Sequence, residues 1–168
     1  MTKALFFDID GTLVSFETHA IPASTIEALT IAHEKGIKIF IATGRPKAII
    51  NNLADIQDRG LIDGYITMNG AYCFVGDEVI YKSAIPAGEV RALAQVCEQK
   101  GYPCIFVGEH TISVCQPNKL VHDIFYDFLH VDEIPVKTFE EAVQEEIFQM
   151  TPFVTVEEET EIQPQIPN

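Results

Sequence analysis

Positive charge is scarce in this chain: Lys and Arg total 11 against 25 Asp and Glu, a formal net charge of −14 over 168 residues. A surface this acidic repels the phosphates of nucleic acids and of anionic lipid headgroups, and no basic cluster interrupts it, so neither is expected as a partner. An anionic small substrate would need help from a local cation. Long apolar runs are lacking too; none reaches the ~20 residues that span a bilayer, so no membrane partner is expected. The four cysteines, Cys73, Cys97, Cys104 and Cys115, form no CxxC pair. No secretory leader precedes the strand-like run that follows Lys3, so reduced thiols and a cytoplasmic location are expected. The histidines His19, His33, His110, His122 and His130 show neither HxH nor HExxH spacing, which leaves them without a metal-binding pattern.

What the chain does contain is an alternation of short apolar runs and amphipathic segments. KALFF (3–7) reads as a strand buried on both faces of a parallel sheet. Residues 21–36 read as a helix with Pro22 near its start and Gly36 at its end. IKIFIATG (37–44) repeats the buried-strand pattern, 45–60 reads as a second helix with Pro46 in its first turn, and 64–70 as a third strand. Residues 71–82 read as two strands joined at Gly76-Asp77, a turn signal. This order predicts a doubly wound α/β layer over residues 1–82. The character changes near 81–86, which sets 83–168 apart as a second module. There a helix over 86–100 precedes two strands flanking GEH, then an aromatic-rich helix over 118–129. From 133 onward no closing strand or helix is expected, only proline and a solvated acidic tail. Phe125, Tyr126 and Phe128 are read as packing, and the cysteines as small buried hydrophobes.

Ligands of open parallel sheets gather at the carboxyl ends of the strands, and three motifs occupy that position. The first is DIDGT (8–12). In an extended strand Asp8 and Asp10 would share a face, where two ionised carboxylates repel each other. A divalent cation held by their oxygens removes that conflict and offsets the charge of an incoming phosphate. Asp8 is then a candidate nucleophile, forming an aspartyl-phosphate. Asp10 is a candidate acid and base, protonating the leaving alcohol and later deprotonating water. Gly11 permits close backbone approach and Thr12 offers a hydroxyl. The second motif, ATGRP (42–46), sets Thr43 and Gly44 at a helix start, an anion site, with Arg45 as the local cation. The third, MNGA (68–71), brings Asn69 to the same rim. Read singly, they are also explained by a solvated turn, a helix cap and a tight polar turn; read jointly, each supplies a group that phosphoryl transfer can use.

The combination FFDIDGTL, ATGR and NGA resembles the haloacid dehalogenase superfamily of phosphohydrolases, in particular its Cof-type branch of bacterial sugar-phosphate phosphatases. The chain throughout is similar to the first part of the hexose-phosphate phosphatases of Bacteroides type. The resemblance implies a HAD-like (Rossmannoid) parallel sheet core over 1–82, incomplete, and a partial Cof-type α/β cap over 83–168. It implies Mg²⁺ as cofactor, held by the Asp8 carboxylate and the Asp10 backbone carbonyl, and phosphate contacts from Thr43, Gly44 and Arg45; Thr12 and Asn69 are the further candidate phosphate-binding residues. The implied substrate is a small phosphorylated metabolite, a sugar phosphate. Family members continue to a third-motif lysine and a GDxxND-type metal site, and neither is found here. Gly76-Asp77 lies at a hairpin turn without the following acids, and Lys82, Lys100, Lys119 and Lys137 lie at the seam or in the cap-like module. Little or no activity is therefore expected of these residues alone, since groups that act as a unit lose far more than one contact's share of rate. The alternative is a phosphate-binding module without catalysis, or a remnant. Family topology further implies that KALFF is an unpaired apolar edge, which invites self-association. A receiver-like phosphoacceptor domain also places aspartates on a parallel sheet, but does not account for the Asp-x-Asp-Gly-Thr order or the second module.

Overall fold

The structure, a computed structural model, describes residues 3–165. The chain divides into two compact units, one ending at Lys82 and the next beginning at Ser83. Both are mixed α/β.

The first unit is a five-stranded sheet in the order β1-β2-β3-β4-β5, formed by β1 (Ala4–Phe7), β2 (Lys38–Ala42), β3 (Gly64–Thr67), β4 (Tyr72–Val75) and β5 (Glu78–Lys82). The first three strands are parallel and the last two antiparallel. Helix α1 (Ala23–Glu34) makes the crossover from β1 to β2. The core on its side of the sheet gathers Ile9, Leu13, Leu29, Ile39, Ile41 and Leu53. Complete burial of Ile39 and Ile41 anchors β2, each such side chain contributing about 1.5–3 kcal/mol. The tight turn at Gly76-Asp77 joins β4 to β5 as read from the sequence, with Gly76 at φ +56°.

Three expectations for this unit are corrected. β1 is not buried on both faces: it is the sheet edge, with neighbour β2 on one side only, and Leu5 and Phe6 remain 40% and 57% exposed. For the same reason the winding is single, since among the described residues the strand order advances in one direction from β1. Nor is 45–60 one helix. A 3-10 turn spans Lys47–Ile49 and a short α2 spans Ala54–Gln57. Pro46 is extended (φ −71°, ψ 155°) and Ile50 leaves the helical region (φ −85°, ψ 90°). The intervening Asn51-Asn52 is a pair whose side chains compete with helical hydrogen bonding.

The second unit packs α3 (Ala87–Lys100) on an antiparallel sheet ordered β7-β6-β8. α3 buries Val90, Ala94, Val96 and Cys97 and ends at Gly101, whose left-handed φ of +75° closes the helix. The central strand β6 (Cys104–Gly108) is buried throughout, flanked by β7 (Ile112–Cys115) and β8 (Ile147–Pro152). Cys97, Cys104 and Cys115 are packed in this core, as small hydrophobes are. The aromatic-rich segment begins as α4 (Lys119–His122), capped by the Asn118 side chain, and continues as a π-helical turn over Asp123–Phe128. Phe125 is buried there, whereas Phe128 is 52% exposed.

The segment from 133 onward is the largest correction. It holds α5 (Phe139–Ala142), β8 and α6 (Val156–Ile162). Thr138 and Glu141 form a reciprocal capping box at α5, and Thr155 and Glu158 do the same at α6. Each box satisfies two otherwise unpaired N–H donors. Residues 166–168 of the expected open tail lie outside the described residues. Among the described residues no helix is long and apolar enough to cross a membrane.

Candidate active site

Parallel pairing of β1, β2 and β3 brings their carboxyl ends to one rim. Phe7 pairs with Ile41, and Ala42 with Ile66, so Asp8, Thr43 and the Met68–Gly70 turn follow the three strands side by side. Hydrogen bonds lace the loops together: Thr43 N–H donates to Ile66 O (2.9 Å), Asn69 N–H to Thr43 O (3.2 Å) and Met68 N–H to Arg45 O (3.3 Å). They enclose a cleft of about 470 Å³ lined by Asp8, Ala42, Thr43, Gly44, Ile66, Asn69 and Gly70.

After Phe7 the chain leaves the extended conformation and wraps around one buried carbonyl. Ile9 O accepts from the N–H groups of Thr12, Leu13 and Val14 at 3.3, 3.1 and 2.9 Å, and Gly11 N–H donates to Val14 O at 2.9 Å. Gly11 sits at φ +77°. The turn gives the two aspartates different surroundings. Asp8 is exposed on the cleft, and its carboxylate joins no ion pair or side-chain hydrogen bond among the described residues. Asp10 is met by Arg45, whose Nε donates to Asp10 Oδ2 (2.7 Å) and Nη2 to Asp10 Oδ1 (2.8 Å). The charge conflict read from the sequence is thus answered at Asp10 by a guanidinium.

Arg45 is itself buried, 7% exposed. Its Nη1 donates to Ile49 O (3.0 Å) and reaches Asn51 Oδ1 (3.5 Å), and its backbone N–H donates to Thr43 Oγ1 (3.1 Å). Of the residues singled out from the sequence, Asp8, Thr43, Gly44 and Asn69 line the cleft together. Asp10, Thr12 and Arg45 stand beside it, with Thr12 exposed. Ala42 and Gly70, which belong to the second and third motifs, complete the lining with Ile66, which no motif includes. The turn that delivers Asn69 is strained: Met68 and Asn69 hold φ of +51° and +55°. Asn tolerates that region, but Met there is an outlier of the sort that clusters at functional sites. Burial of Met68, 3% exposed, fixes it.

Chemically, the cleft offers one free carboxylate, a threonine hydroxyl, a side-chain amide and a glycine that lets the backbone approach. An oxygen donor of this kind suits a hard cation and an electrophile such as phosphorus.

A family described as haloacid dehalogenase-like hydrolase matches residues 5–168. The sugar phosphatase BT4131, of HAD subclass IIB, is 75% identical with a TM-score of 0.93, over 99% of this chain and 64% of that one. BT1666, a phosphatase from Bacteroides thetaiotaomicron, is 33% identical with a TM-score of 0.81, over 99% of this chain and 61% of that one. YkrA of Bacillus subtilis, a phosphatase by name, is 29% identical over 163 residues, 94% of this chain and 60% of YkrA. The chain therefore spans less than two thirds of the length of each of these relatives.

Proposed function

The chain belongs to the haloacid dehalogenase-like hydrolase family, and from that premise we propose that it is the site-bearing part of a phosphatase acting on small sugar phosphates. The observation that carries this reading is the Asp8 carboxylate, exposed on a cleft whose other polar lining is Thr43, Gly44 and Asn69. BT4131 is a sugar phosphatase at 75% identity, which supports a sugar phosphate as the substrate class.

In the proposed reaction an Asp8 carboxylate oxygen attacks phosphorus, the ester P–O bond breaks, and the leaving alkoxide takes a proton from Asp10. Water then attacks the phosphorus of the aspartyl-phosphate, giving its proton to Asp10 and releasing inorganic phosphate and free Asp8. Thr43, Gly44 and Asn69 orient the phosphoryl oxygens by hydrogen bonding. The donor chemistry fits Mg²⁺: the Asp8 carboxylate and the Asp10 backbone carbonyl would hold it, and it would supply charge neutralisation for the phosphoryl group. The Asp10 carboxylate is engaged by Arg45, which favours its carbonyl as the ligand.

The 168 residues contain no GDxxND-type carboxylate group, and the lysines after the third strand, Lys82, Lys100, Lys119 and Lys137, lie at the end of the first unit or in the second. On these residues alone turnover falls far below that of a complete site, and phosphate binding without turnover is the second reading. The exposed β1 edge adds self-association to the proposal. The test is hydrolysis of an aryl phosphate with Mg²⁺ by the chain and by Asp8→Asn. Turnover lost in the variant supports the phosphatase reading. Equal background rates, with saturable Mg²⁺-dependent phosphate binding, replace it by the binding module.

A further inference from the structure

We propose that Arg45 is a positioning residue that acts through Asp10 and is not a ligand of the substrate phosphate; the proposal rests on the phosphatase reading above. All three guanidinium nitrogens already donate. Nε and Nη2 form a fork on the two Asp10 oxygens at 2.7 and 2.8 Å, and Nη1 is held by Ile49 O at 3.0 Å. The side chain is 7% exposed and is not among the cleft's lining residues. Turning it toward a phosphate would strip Asp10 of its counter-charge and leave a backbone carbonyl without its donor, both unfavourable in a desolvated setting.

The fork does something specific to Asp10. A carboxylate free to rotate presents its lone pairs in every direction, whereas two parallel N–H bonds fix its plane. Each oxygen uses one lone pair on Arg45 and keeps another, and the Asp10 side chain is still 27% exposed. The fork therefore holds the Asp10 carboxylate at a fixed orientation while part of it stays open to solvent. Lysine, a single rotatable ammonium, cannot reproduce a planar two-point hold.

The experiment compares the whole chain with R45K, R45Q and D10N in the presence of Mg²⁺. Affinity for inorganic phosphate is measured beside turnover of 4-nitrophenyl phosphate, whose leaving group departs unprotonated, and of an alkyl phosphate, whose leaving group needs a proton. The expected result is phosphate affinity within about twofold of the unsubstituted chain and alkyl-phosphate kcat lower on the order of 10²-fold, with KM kept. The aryl substrate loses much less, and D10N shares that pattern. A phosphate affinity weakened about tenfold or more in R45Q, or equal losses for both substrates, overturns the proposal. Should R45Q fail to fold, the double variant D10N/R45M, which leaves no unpaired charge, is used for the phosphate measurement.

If the unsubstituted chain and D8N are equally inactive toward both substrates, the phosphatase reading fails by itself. Arg45 is then judged by its Nε–H NMR resonance. A resonance protected from exchange, lost in Asp10→Ala and unmoved by inorganic phosphate supports the positioning role. One that shifts with phosphate and ignores Asp10→Ala overturns it.

Discussion

Asn69 Oδ1 lies 3.1 Å from the point that a Cβ on Gly44 would occupy, so the second and third motif loops meet with no room for a side chain between them. Gly44→Ala forces the Asn69 amide back by a few tenths of an ångström, at the wall of the proposed phosphate site. Small displacements of positioning groups are costly to binding and rate, and we expect inorganic phosphate affinity to fall by roughly tenfold. Gly44 does not have a positive φ, so the thermal midpoint changes little. Calorimetric titration beside a melting curve checks both halves. An unchanged affinity would show that Asn69 has nothing to do with phosphate.

Gly11 makes a different demand. Its φ of +77° lies in the left-handed region, and a Cβ there would stand 2.6 Å from the Phe16 ring. Phe16 is 53% exposed and can swing aside, so the steric part is relieved cheaply while the backbone part is not. Gly11→Ala should destabilise the chain by about 1–2 kcal/mol, read from urea midpoints. In the double variant Gly11→Ala/Phe16→Ala most of that loss persists. Full recovery in the double variant would mean the ring, not the backbone, sets the requirement.

These two glycines belong to the part of the site that the sequence makes legible. DIDGT, ATGR and NG each follow a strand-like run, and parallel pairing of three such strands necessarily brings their ends to one rim. The Arg45–Asp10 fork was not legible: 35 residues separate the partners, and nothing in ATGRP tells whether its arginine faces a substrate or a carboxylate. The turn around Ile9 O that separates Asp8 from Asp10 was equally hidden, because alternation along a strand assumes that the strand continues. The α5 and α6 starts were a signal overlooked, since Thr138-Glu141 and Thr155-Glu158 carry the spacing of capping boxes. The segment 45–60 misled because Ile49, Leu53 and Ile56 are spaced as on a helix face, yet they reach the interior from a 3-10 turn, a loop and a single helical turn.

The β1 edge gives a prediction for association. Phe6 is 57% exposed and stacks on Phe40 of the neighbouring strand, ring centroids 5.1 Å apart. An apolar strand with one open side is a template for pairing. Sedimentation velocity over a concentration series should show the chain associating and Phe6→Lys remaining monomeric. The substitution also loses the aromatic pair, about 0.5–1.5 kcal/mol, so the variant's melting curve is compared at matched concentration. A chain that stays monomeric at high concentration removes self-association from the proposal.

In the second unit Glu145 accepts from Lys137 Nζ and from the Thr111 hydroxyl. The Lys137 side chain, then Thr111, hold the Glu145 carboxyl below the ordinary glutamate range, against the opposing effect of burial. A carboxyl lowered on folding contributes stability that is present above its unfolded pKa, about 4.3, and is lost as pH falls through the folded value. Glu145→Gln removes that contribution. The urea midpoints of the two proteins should therefore differ by a constant amount from neutrality down to about pH 5 and converge as pH drops below about 4. The sign is fixed by the direction of the shift: a raised carboxyl would give a gap that grows on acidification. A gap independent of pH would mean that Glu145 contributes through packing and neutral hydrogen bonding, and that the Lys137 charge adds nothing at that site.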